Sequence, residues 1–159
     1  MIVPIEAAFE EALGAVATFP VRWPNGVWPS GTSTSDGDMP VTIDGVPAPA
    51  IEAEIISGRD ETMPVGKDSE GKRSHRLMGM ARFYLSVGQG TGRATINAEV
   101  DALIAAFDRL TMIDNRPDGE RLVTEDPRVD DDVAGYEEGN RYVRVVTVPW
   151  LYLYRTEQK

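Results

Sequence analysis

The residues best placed for chemistry form a glycine run, Val87-Gly-Gln-Gly-Thr-Gly-Arg93. It follows an alternating stretch that predicts a strand and precedes a helical pattern. A phosphate could therefore sit on backbone N–H groups at the helix N-terminus. The spacing departs from the phosphate loops that work this way. A dinucleotide fingerprint needs a third glycine where Arg93 stands, and a Walker loop needs Gly-Lys-Ser/Thr, which is absent. The favoured reading is a strand-to-helix connection that uses positive φ values. A small nucleotide-binding enzyme using Gly88–Gly92 is the alternative.

His75 is the only histidine and lies in Lys72-Arg-Ser-His-Arg76. As a general base it would need an orienting acid and a nucleophile, and Ser74 is its chain neighbour rather than an obvious partner. It reads as a solvated residue at a loop edge. Glu125, Asp126, Asp130, Asp131, Asp132, Glu137 and Glu138 crowd one segment. A hard cation favours such oxygens, but the EF-hand spacing is missing, so the segment reads as a solvated loop. The chain has no cysteine, which removes disulfides, thiolate zinc sites, iron–sulfur clusters and cysteine nucleophiles together.

Periodicity predicts the elements that would carry these residues. Ile5, Ala8, Phe9, Ala12, Leu13 and Val16 recur at helical spacing. Phe19 to Trp23 is a brief extended piece, and Ile51 to Ser57 alternates as a strand. From His75 to Val87, the residues Leu77, Gly79, Ala81, Phe83, Leu85 and Val87 share one strand face. Ile96, Val100, Leu103, Ile104 and Phe107 mark a second helix. Met112-Ile113 and Arg121 to Thr124 are short strand pieces. Arg141 to Tyr154 is the last strand, apolar on both faces, so it is either central or buries a face against another chain. Pro149 within it cannot donate to a ladder and marks an edge or a bulge. Long flexible loops are expected over about residues 29–49, 59–74 and 125–140. Helix, strands, helix, strands in that order predict an α+β fold, a mainly antiparallel sheet with two main helices on one face.

At 159 residues one domain is expected, and 42% hydrophobic with 26% charged residues fits a globular chain. Sixteen Lys and Arg against 26 Asp and Glu leave a formal charge of −10, which argues against tight duplex binding, since that works through Lys and Arg releasing counterions. The N-terminal residues lack the basic start of a signal peptide, and no apolar run reaches the roughly 18 residues of a membrane span. A cytoplasmic site of synthesis and no membrane partner are the expectations. From Gly71 to Ala98 there are five basic residues, Lys72, Arg73, Arg76, Arg82 and Arg93, and no acid. This stretch and the acidic segment near the C-terminus either pair within one chain or, as two distinct patches, favour head-to-tail association in a ring.

Several motifs in order resemble those of the tail terminator (tail-completion) proteins of siphophages, prophages and gene transfer agents. After the N-terminal amphipathic helix come Val21-Arg-Trp-Pro-Asn25 and the strand Ile51 to Ser57. Then follow Lys72-Arg-Ser-His-Arg-Leu-Met-Gly79, Phe83-Tyr-Leu-Ser-Val-Gly-Gln-Gly-Thr-Gly92, the helix ending near Phe107, and Asn140-Arg-Tyr-Val-Arg-Val-Val-Thr-Val-Pro-Trp150. Together they cover nearly the whole chain. The resemblance implies a structural virion protein with no catalytic residues, cofactor or metal. Such proteins form a hexameric ring on the completed tail tube, end its polymerisation and present a surface to the head connector. The implied partners are other copies of the chain, the tail tube protein and the head completion protein, with assembly in the host bacterial cytoplasm and residence in the virion neck. Genome DNA would pass through the lumen without being held, which suits a net-negative chain. On this reading the candidate interface residues are Arg73, Arg76, Arg82, Asp130, Asp131, Asp132 and Trp150. A head–tail joining protein, or another neck or tail-tube protein, is the alternative within the same class.

Overall fold

Two long segments with a strand period of two build the centre of the molecule, and two helical stripes close over one side of it. The computed structural model describes residues 2–24, 32–34, 40–43, 46–47, 49–62, 71–88, 93–130, 136–138 and 141–156. Helix α1 (Ile2–Val16) leads to β1 (Val21–Arg22), then β2 (Thr32–Thr34), β3 (Pro40–Ile43), β4 (Val46–Pro47), β5 (Ala50–Thr62) and β6 (Arg73–Gly88). Helix α2 (Arg93–Phe107) follows, then β7 (Thr111–Asn115), a 3-10 turn (Arg116–Asp118), β8 (Glu120–Thr124), β9 (Arg128–Val129), β10 (Tyr136–Glu138) and β11 (Arg141–Thr156).

The fold is α+β, as the order of elements predicts. The main sheet runs β1-β5-β6-β11-β8-β7, with β9 and β10 also pairing to β11, while β2, β3 and β4 form a separate sheet. Apart from the short parallel pair of β1 with β5, the ladders are antiparallel. β6 and β11 pair along their whole length, from Arg141 opposite Gly88 to Thr156 opposite Arg73. That register puts Val146 beside Phe83, Val148 beside Ala81 and Trp150 beside Gly79, all on one face. Onto it pack Ile5, Phe9 and Leu13 of α1 and Ile96, Val100, Leu103 and Phe107 of α2, every one buried. Phe9, Phe83 and Phe107 meet at ring-centroid distances of 5.3 to 6.4 Å, so both helices and the sheet share one aromatic contact.

Two buried polar residues fix where the helices end. Glu99 on α2 is 4% exposed, and its carboxylate accepts from the Thr18 N–H at 2.8 Å, the Thr18 hydroxyl at 2.7 Å and the Phe19 N–H at 3.4 Å. It thereby holds the segment leaving α1. The Thr124 hydroxyl of β8 donates to the Phe107 carbonyl at 2.5 Å and accepts from the Leu110 N–H at 2.8 Å, closing the C-terminal turn of α2.

The segments expected as loops are strands in part. β2 to β4 lie within 29–49, β5 runs on to Thr62, β6 starts at Arg73, and β9 and β10 lie within 125–140. Partners explain the extension of β5 through its polar end. Asp60, Glu61 and Thr62 stand opposite Leu77, Arg76 and His75; Glu61 pairs with Arg76 at 2.8 Å, and Asp60 accepts from the Tyr154 hydroxyl at 2.5 Å. Nor is β11 an edge. Pro149 sits where its second neighbour changes, with the β8 ladder stopping at Trp150 and the β9 contact starting at Thr147. The missing N–H of Pro149 costs no ladder bond on that side, while its carbonyl accepts from the Glu125 N–H at 2.8 Å.

Candidate interaction surface

Alternation places the odd-numbered residues of β11 and the even-numbered residues of β6 on the face away from the helices. Near β9 and β10 that face is buried: Ser86, Val143, Val145 and Thr147 are each at most 8% exposed. Further along, it opens. Ile56 and Met78, at 37% and 41%, are the large hydrophobic residues exposed among the described residues, and both point here. Met80 stands between Ile56 and Pro149, and Leu151 between Met78 and Val123, so two apolar rows cross β5, β6, β11 and β8. Four strands about 4.8 Å apart make this band roughly 14 Å wide.

Charged rows bound the band on both sides. On one side, in register, are Glu61 of β5, Arg76 of β6, Leu153 of β11 and Arg121 of β8, with Arg155 beyond them. The Glu61 carboxyl is held below its ordinary range, first by its hydrogen bond from Arg76 and then by the charges of Arg76 and Arg59. On the other side Glu54 faces Arg82 across the ladder and accepts from the Tyr84 hydroxyl at 2.8 Å. Burial, then that hydrogen bond, raises the Tyr84 pKa.

The residues singled out in the sequence separate in the structure. Arg76 and Arg82 stand on the helix-free face, whereas Arg73 is an exposed residue at the start of β6 on the opposite face. Arg82 lies 3.9 Å from the Asp130 carboxylate, which also accepts from the Thr147 hydroxyl at 2.5 Å and from Arg128 at 3.4 Å. The basic stretch and the acidic segment thus meet inside one chain at Arg82 and Asp130. Asp131 and Asp132 fall outside the described residues. Trp150 is a core residue at 2% exposure and offers no surface to another chain; its indole lies over Gly79 on the helix side. A side chain at Gly79 would collide with that ring and with the Ile56 carbonyl.

His75 sits within β6, not at a loop edge. Its ring stacks on Tyr154 at 5.0 Å, and its nitrogens lie 2.7 Å from the Thr156 hydroxyl and 3.5 Å from that of Thr62. Ser74 lies on the other side of the strand by alternation, so the two do not form a nucleophile and base. The adjacent Tyr152 and Tyr154 stack at 5.4 Å and donate to Glu120 and Asp60 at 2.5 Å each. Of the glycine run, Gly88 ends β6 opposite Arg141, and Gln89 to Gly92 fall outside the described residues. Among the described residues no three His, Cys, Asp or Glu side chains gather as metal ligands, and no helix is long and apolar enough to cross a membrane.

No family model matches the chain, and no curated protein matches it. Nine chains of known structure do. One, whose name carries no description of activity, superposes with a TM-score of 0.54 at 17% identity, covering 98% of this chain and 96% of its own. That likeness shows a shared fold.

Proposed function

We propose that this chain is a structural protein of the tail-terminator kind, which assembles as a ring on a tail tube, ends its growth and joins it to the head connector. The observation that carries the reading is the open apolar band on the helix-free face. A contiguous exposed apolar patch rimmed by polar residues marks a contact site, where apolar residues scattered singly do not. The order of sequence motifs from α1 to β11 supports the same reading. Capping requires shape rather than bond-making: a rigid sheet clamped by two helices holds the contact surface in place, and the ring blocks addition of the next tube subunit. The −10 charge suits a lumen through which DNA slides, because phosphates are repelled rather than held.

Deleting the gene and measuring tails by electron microscopy tests this. A terminator's loss gives overlong tubes of variable length. Finished tails of normal length detached from heads would point instead to a joining protein, and normal particles would end the reading.

A further inference from the structure

The chain carries a second apolar feature on its other layer. A groove of about 350 Å³ runs between α1, the C-terminal end of α2 and the start of β7, floored by Ala8, Ala12, Val16, Ala106 and Met112. It has more than twice the roughly 150 Å³ that admits a benzene-sized guest. Glu11 is the charged residue that lines it, and exposed Asp108 and Arg109 stand in the chain between its lining residues Phe107 and Leu110. The helix-free face differs: exposed Ile56 and Met78 project from it, and at its far end Arg76, Arg121 and Arg155 outnumber the acids Glu61 and Asp114.

We propose that these two surfaces bind each other between copies of this chain, with the Ile56–Met78 band of one subunit seated in the α1–β7 groove of the next. The assignment rests on the ring reading above for its closure, and on shape and charge for the contact itself. Protruding apolar side chains meet a groove whose alanines allow close approach, and the net-positive end of the band meets the carboxylate of Glu11. Because the two patches differ and lie on opposite layers, a pair of copies still has one free groove, on one copy, and one free band, on the other. Such a contact is head-to-tail and propagates until a ring closes. A face that bound its own copy would stop at a dimer.

Sedimentation of the full chain over a concentration series reads the outcome. Wild type is expected to sediment well above the 17.4 kDa protomer. Met78→Asp, which spoils the band, and Ala15→Trp, which fills the groove, each weaken self-association at least tenfold. Mixed together, the two form a 1:1 heterodimer, because one keeps an intact groove and the other an intact band. Circular dichroism confirms folding of each variant, and Ile56→Lys replaces Met78→Asp if the latter is unfolded. Rings that survive both substitutions overturn the contact while leaving the ring reading intact. A wild-type chain that stays monomeric at every concentration, or a mixture that does not pair, also overturns it. Absence of the chain from tailed particles refutes the ring reading without altering the 1:1 result.

Discussion

Removing the Glu99 carboxylate tests how the helices are locked to the sheet. In Glu99→Ala, the Thr18 N–H, the Thr18 hydroxyl and the Phe19 N–H lose their acceptor together. Hydrogen bonds to a charged group are each worth about 1.5–3 kcal/mol. Thr18 is exposed, so water replaces much of what its two groups lose, and the 3.4 Å bond from buried Phe19 is long. The net loss is therefore about 2–3 kcal/mol, less than the sum of three such bonds. For a domain of this size each kcal/mol moves the melting midpoint by about 2–4 °C, giving a fall of about 4–12 °C. Glu99→Gln keeps one acceptor oxygen, and its amide can donate to the Thr18 hydroxyl, so it recovers part of the loss. Thermal melts of both variants beside wild type decide it. An alanine variant within about 0.5 kcal/mol of wild type, or a glutamine variant worse than alanine, would refute the reasoning.

Other substitutions have signs fixed by the same geometry. Gly79→Ala pushes a methyl group against the Trp150 indole and the Ile56 carbonyl and should cost about 1–3 kcal/mol in urea unfolding. Arg109 follows α2 with φ of 50°, a left-handed conformation that favours glycine. Arg109→Gly should therefore raise stability by up to about 1 kcal/mol, because the ion pair it gives up with Asp126 is solvent-exposed. Burial, followed by hydrogen bonding to Glu120 and Asp60, raises the pKa values of Tyr152 and Tyr154, the latter to about 12. Since the folded values exceed the ordinary value of 10, this stabilisation is complete below pH 10 and is lost as pH climbs through about 12. Melts between those limits should show wild type losing more stability than Tyr152→Phe/Tyr154→Phe; equal losses would contradict it.

Much of the architecture was legible in the sequence because a period of two or 3.6 leaves a direct trace. The inward face of β6, from Leu77 to Val87, and the stripe of α2, from Ile96 to Phe107, are where the pattern put them. What was not legible depends on partners far along the chain. The polar end of β5 is a strand because Arg76, His75 and Tyr154 supply its contacts, and no local propensity announces that. Glu99 reads as one more surface acid of a helix until Thr18, 81 residues away, closes over it. Trp150 looked like an anchor for another chain because large aromatics serve cores and interfaces alike; only Gly79, one strand over, shows which use it has here. The same alternation that fixed the β11 core also left its outward residues apolar, and that surplus was the visible trace of the open band.

Electron cryomicroscopy of the native particle with this chain tagged at a described surface position reaches the central claim most directly. The account predicts density for a closed ring of this fold at the head-proximal end of the tail tube, with no nucleotide or metal needed to hold it. The chain found elsewhere in the particle, or missing from it and active on a small molecule as a free monomer, would contradict the account.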